Sequence, residues 1–202
     1  MNVVCLDLEG VLIPEIWIAF AKKTGIEALM ATTRDIPDYD VLMKQRLSIL
    51  EEHNLKLADI QSVISTLEPM KGALDFLDSL RESYQLIILS DTFYEFGTPF
   101  MAQLNQPTLF CHKLIVDHEG GVKDYQLRQP DPKRKSIKAL HDLNFKVIAA
   151  GDSYNDTSML EEADAGFLFR APDNVIAEFP QYPTSTSYSE LRTLIDSASS
   201  SF

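Results

Sequence analysis

At 202 residues the chain is long enough to bury a full core, as one α/β domain or as one domain carrying an insertion. Its 45% apolar and 24% charged content is ordinary for a globular protein. A formal charge of -12 without a concentrated basic surface excludes a nucleic-acid binder, since Lys133-Arg134-Lys135 is too short to form one. No stretch approaches the ~20 apolar residues of a membrane helix, and no basic segment followed by an apolar one opens the chain, so a soluble, cytoplasmic protein without membrane association is expected.

Val3 to Leu12 opens as a strand buried on both faces and runs onto two carboxylates, Asp7 and Glu9, with Gly10 giving the turn its backbone freedom. A buried unpaired carboxylate costs several kcal/mol, so Asp7 needs a compensating partner. Helical patterns follow over Pro14–Gly25, Asp38–His53, Ala58–Leu67 and Ala73–Glu82. Three helices in succession without a strand break the βα alternation, and residues 14–70 are read as a helical insertion in a core made of 1–13 and 71–202.

The alternation then resumes. Leu86–Leu89 is a strand ending at Ser90-Asp91-Thr92, followed by a helix over Phe93–Leu104. Leu109–Val116 and Val122–Leu127 flank a turn at His118-Glu119-Gly120-Gly121 and read as a hairpin extending the sheet or lying at its edge. A helix over Lys133–Leu143 feeds a strand over Phe145–Ala150 that ends at Gly151-Asp152-Ser153-Tyr154-Asn155-Asp156. A helix over Thr157–Ala163, a strand over Ala165–Phe169, a helix near Asp173–Glu178 and a last helix over Tyr188–Ala198 complete the chain, with a frayed Ser199-Ser200-Ser201 end. Cys5 and Cys111 read as reduced core residues, and the four His have no ligand spacing and no assigned role.

Three apolar strands thus stop at polar clusters, and in a parallel sheet those ends share one edge. Asp7, Asp152 and Asp156 make an all-oxygen environment that selects a hard cation such as Mg²⁺. Ser90 and Lys133 can hold phosphate oxygens. The combination points to phosphoryl transfer, with Asp7 as nucleophile and Glu9, two residues on, as general acid and base. Asp156 either supports the metal site from behind or caps the next helix.

Asp7-x-Glu9-Gly10, Ser90 after a strand, Lys133 at a helix start and Gly151-Asp152-Ser153-Tyr154-Asn155-Asp156 resemble the four ordered motifs of the haloacid dehalogenase superfamily. The resemblance implies a Rossmann-like parallel-sheet core with a small helical cap. Within the superfamily the cap looks similar to that of the phosphoserine phosphatases. It implies that Arg46 binds the substrate carboxylate, Glu15 its amino group, Asn155 and Asp91 lie at the substrate, and the Glu9 main-chain carbonyl joins Asp7 and Asp152 as a metal ligand. Glu9 and Asp91 depart from the usual Asp and Gly. Those departures look most like the subgroup that also passes phosphate from phosphoserine to homoserine. A phosphatase for a nucleotide or sugar phosphate, and a catalytically silent phosphate-binding module, are the alternatives.

Overall fold

The computed structural model describes residues 1–33, 35–36 and 38–202. Seven strands form one sheet: β1 (Asn2–Leu6), β2 (Gln85–Phe93), β3 (Thr108–Val116), β4 (Val122–Gln126), β5 (Lys146–Gly151), β6 (Ala165–Phe169) and β7 (Thr184–Ser185). Their order is β4-β3-β2-β1-β5-β6-β7, and every neighbouring pair is parallel except β3 with β4. The expected α/β architecture is therefore present, and the hairpin extends the sheet as its edge.

β1 lies between β2 and β5, with Cys5 opposite both Ile87 and Ala149. Because side chains alternate along a strand, Val4 and Leu6 pack on one face with Ile88, Ile148 and Ala150, while Val3 and Cys5 pack on the other with Leu89, Val147 and Ala149. Both faces are covered, so these strands are apolar throughout. Ile137 of α6 (Pro132–Asp142), Met159 and Leu160 of α7 (Thr157–Glu162) and Val175 of α8 (Asp173–Glu178) cover the second face. The first face takes Phe76, Leu77 and Leu80 of α4 (Ala73–Arg81), Phe96 and Phe100 of α5 (Tyr94–Gln103), and Leu191 and Ile195 of α9 (Tyr188–Ser199). Each of these buried side chains stabilises by roughly 1.5–3 kcal/mol, which makes the sheet a rigid platform for its rim.

Between β1 and α4 the chain makes α1 (Ile16–Thr24), a 3₁₀ turn over Glu27–Met30, α2 (Tyr39–Glu52) and α3 (Leu57–Ile64). Phe20, Met43 and Ile60 join the same apolar cluster as the first face of the sheet. The excursion starts and ends at one place, since the Met70 N–H donates to the Leu12 carbonyl at 2.8 Å.

Several details differ from the expectation. α1 begins at Ile16 rather than at Pro14, and its first N–H donates to Glu9 Oε2 at 2.9 Å. β2 does not stop at Ser90: it continues to Phe93, and its pairing with β3 jumps from Leu89–Phe110 to Phe93–His112. β2 advances four residues there while β3 advances two, a bulge that re-aims Ser90, Asp91 and Thr92. The 3₁₀ turn and the two-residue β7 were not expected, being too short to carry a periodic signal.

Candidate active site

The carboxyl ends of β1, β2 and β5 meet at one edge because these strands are neighbours and parallel. One cavity there is lined by Asp7 and Glu9 from the loop after β1, Ser90, Asp91 and Thr92 from the β2 bulge, and Asp152 and Asn155 from the loop after β5. Glu15, Trp17, Tyr39 and Arg46 line it from the helical excursion. The structure thus brings to this cavity every residue singled out from the sequence except Lys133 and Asp156, and Lys133 reaches both Asp7 in the cavity wall and Asp156 behind it.

Lys133 is 2% exposed at the start of α6. Pro132 at the first helical position needs no hydrogen-bond partner and fixes the turn from which Lys133 projects. Its Nζ lies 2.9 Å from Asp7 Oδ1, 2.6 Å from Asp156 Oδ1 and 3.3 Å from Asp91 Oδ2. Burial opposes the Lys133 charge, but Asp156, Asp7 and Asp91 outweigh it and hold its pKa well above the usual value. Its neighbour Arg134 points elsewhere, to Glu162 at 2.8 Å.

Asp156 is fully buried and makes no side-chain cap to α7, although it joins Ser153 in a capping box on the 3₁₀ turn Tyr154–Asp156. Its second oxygen instead accepts from the N–H groups of Asp152 and Ser153, at 3.0 and 3.1 Å, so it binds Lys133 while closing the Asp152 loop. Of the two roles left open for it, support from behind is the one its contacts fit.

Asp7, Asp152 and Asp156 each offer an oxygen within 4.8 Å of the others, and all three are buried. Burial pushes the Asp7 pKa well up, as do Asp156 and Asp152, against the opposing pull of Lys133. Three crowded carboxylates facing one ammonium leave a local excess of negative charge. The all-oxygen donor set therefore fits a hard divalent cation, whose charge would let Asp7 remain ionised.

Glu9 is only partly buried, yet loss of solvation and the nearby Glu15 push its carboxyl up to about 7. The Ile16 N–H at the positive end of α1, Thr92 and Arg46 pull the other way. A carboxyl poised near neutrality can both give and take a proton.

At the far wall Arg46 is 8% exposed. Its guanidinium carbon stands 4.7 Å above the Trp17 ring, and Nη2 donates to the Ala31 carbonyl at 2.9 Å. Its Nε is buried and has no hydrogen-bond partner among the described residues, a costly state for a charged donor unless something binds there.

Asp91 Oδ2 also accepts from Asn155 Nδ2 at 2.7 Å, and the Asp91 carbonyl accepts from the Tyr39 hydroxyl at 2.9 Å. Burial would raise the Asp91 carboxyl, but Lys133, His112 and Asn155 together hold it well below the usual carboxylate range. Asp91 is therefore an anion tied to its neighbours. Trp17 and Tyr39 line the cavity although no signal in the sequence singled them out, and Thr92 was named in a strand-end cluster without a role.

A parallel sheet with an acidic, lysine-backed pocket at the carboxyl edge of its central strand defines a class of α/β phosphoryl-transfer enzymes. Residues 1–164 match the family model described as haloacid dehalogenase-like hydrolase, and the chain belongs to that family. It is 68% identical over 192 residues to a phosphoserine phosphatase of Pseudomonas syringae pv. tomato, covering 95% of this chain and 81% of the relative. It is 66% identical over 200 residues to the phosphoserine phosphatase ThrH of Pseudomonas aeruginosa, covering 99% and 98%. The fold is similar to that of a phospho-aspartyl intermediate analogue of phosphoserine phosphatase, with a TM-score of 0.79, 18% identity and coverage of 95% and 97%.

Proposed function

We propose that the chain is a cytoplasmic, Mg²⁺-dependent phosphoserine phosphatase that works through an aspartyl-phosphate on Asp7, and that it also passes the phosphate to homoserine. The observation that carries the reading is a cavity lined by two unlike sets of residues. One set is Asp7, Ser90 and, in contact with Asp7, Lys133, suited to a phosphoryl group. The other is Arg46, whose buried Nε lacks a partner among the described residues, and Glu15, suited to the carboxylate and ammonium of an amino acid. The two relatives at 68% and 66% identity carry the phosphoserine phosphatase name, which supports the same substrate. Two unpaired buried thiols, Cys5 and Cys111, suit a reducing compartment.

In this reading residues 14–70 act as a cap over a core of 1–13 and 71–202, and Asn155 lies beside the bound substrate. An Asp7 oxygen attacks phosphorus in line with the serine oxygen. Protonated Glu9 delivers its proton to the departing serine alkoxide, which leaves Glu9 ionised. Ionised Glu9 then takes a proton from an incoming hydroxyl, of water or of homoserine, as that oxygen attacks the phosphorus and frees Asp7. A carboxyl near pH 7 serves both halves, whereas an ordinary glutamate would be a poor acid at neutrality. Lys133 neutralises charge gathering on the phosphoryl oxygens. Asp7, Asp152 and the Glu9 main-chain carbonyl would hold Mg²⁺, which when bound would supply Lewis-acid neutralisation of the same charge.

Water and an alcohol need the same base, so exclusion of water from the cavity decides the acceptor. The test is to incubate the enzyme with phosphoserine, Mg²⁺ and homoserine, and to quantify free phosphate and phosphohomoserine. Both products are expected. Phosphate alone sinks the transfer activity, and neither product sinks the substrate assignment.

A further inference from the structure

We infer that His112 is a positioning residue of this site, acting through Asp91 to hold Lys133 and Asn155 where the phosphoryl group is handled. The inference rests on the phosphoryl-transfer reading above. His112 lies on β3, opposite Phe93 in the register that resumes after the β2 bulge, and it is 1% exposed. A buried imidazole needs a reason for its polar atoms.

The Arg128 N–H donates to His112 Nδ1 at 3.1 Å. That bond makes Nδ1 the acceptor, so in the neutral ring the proton resides on Nε2. Nε2 faces Asp91 Oδ1 at 3.6 Å, longer than a hydrogen bond but close enough for a favourable electrostatic contact in a buried setting. The other Asp91 oxygen binds Asn155 Nδ2 at 2.7 Å and lies 3.3 Å from Lys133 Nζ. One carboxylate thus links β3 to α6 and to the loop after β5.

A carboxylate with one oxygen pinned has fewer ways to turn than a free one. Without His112, Asp91 can swing about its χ angles and carry Asn155 with it or release it. Lys133 keeps Asp7 and Asp156 as partners, but loses the third anion that fixes its direction. The arrangement also accounts for an aspartate beside Ser90 without repelling phosphate: its charge is directed towards His112, Lys133 and Asn155. Because the bulge sets where Asp91 points and the hairpin sets where His112 points, the pairing is not visible from spacing along the chain.

The test is a double-mutant cycle in the full-length Mg²⁺-loaded enzyme with phosphoserine. His112→Leu is expected to lower kcat about ten- to hundredfold while KM moves less than about threefold, as for a residue that orients catalytic groups without touching substrate. His112→Gln, which can offer an amide N–H towards Asp91, is expected to recover most of that loss. In the Asp91→Asn background, adding His112→Leu is expected to cost nothing further. Additive losses, wild-type kcat in the Leu variant, or equal losses for Gln and Leu would each overturn the inference.

A second measurement needs neither a variant nor turnover. Nitrogen-15 NMR of the ring in the wild-type protein is expected to show the Nε2–H tautomer, and an Nδ1–H tautomer would overturn the inference. Failure of the wild type to hydrolyse phosphoserine would count against the function instead, and the ring tautomer would still decide the placement of His112.

Discussion

Gly10 lies directly against the carboxylate of Asp152: a Cβ built on Gly10 would stand 2.5 Å from Asp152 Oδ2 and 2.6 Å from its carboxyl carbon. The glycine also has φ +78, the left-handed region that other residues adopt only with strain. The turn after Asp7 and the third acidic strand end are therefore fitted to one another, and the acidic cluster depends on a residue with no side chain.

Gly10→Ala is expected to push the Asp152 carboxylate aside. Backbone strain alone predicts a loss of about 1–2 kcal/mol of stability. A larger consequence is expected at the cation site: the Mg²⁺ concentration giving half-maximal phosphatase activity should rise at least about tenfold. Thermal unfolding and a Mg²⁺ titration check the two effects separately. Unchanged Mg²⁺ dependence would remove Asp152 from the cation site.

The raised Glu9 carboxyl predicts a stability signature in metal-free protein. In the unfolded chain this group titrates near its ordinary 4.5, and in the folded protein near 7. Between those values the folded state holds the proton more tightly, so stability is fully present below about pH 4.5 and is lost as pH rises through 7. Glu9→Gln cannot ionise and escapes the loss, while its amide oxygen can still accept from the Ile16 N–H. The variant should match the wild type near pH 4.5 and exceed it by on the order of 1–3 kcal/mol at pH 8. Urea unfolding in EDTA at the two pH values checks this, and a gap independent of pH contradicts it.

Arg46 offers a test of substrate class. If it binds the carboxylate of phosphoserine, Arg46→Ala should reduce kcat/KM for phosphoserine by about 2–4 kcal/mol in transition-state terms. For an aryl phosphate lacking that carboxylate the reduction should be much smaller. Parallel kinetics on the two esters check it. An equal loss on both would make Arg46 a support of the cap, acting through its stacking on Trp17.

What could be read from the sequence followed from side-chain chemistry repeated at strand ends. β1 and β5 are continuous apolar runs that stop at acids, and those stops coincide with the sheet edge where Asp7 and Asp152 line the cavity. Lys133 was legible because proline opens its helix. β2 was read short because Ser90, Asp91 and Thr92 look like a strand end, whereas the bulge against β3 keeps them in the strand. Trp17 was hidden because an aromatic residue in a helix is usually core, and it is indeed 7% exposed while also carrying Arg46. His112 was hidden because its partners come from the bulge and from Arg128 beyond the hairpin, relationships that only three-dimensional register creates.

The central claim is that phosphate passes through Asp7. The direct measurement is to quench the enzyme in acid during turnover of phosphoserine and to locate the phosphoryl group by peptide mass spectrometry. The account predicts an acid-stable, base-labile phosphoryl group on Asp7, absent from an Asp7→Asn variant that remains folded and releases no phosphate. Undiminished phosphate release by Asp7→Asn, or a phosphoryl group on another residue, would contradict it.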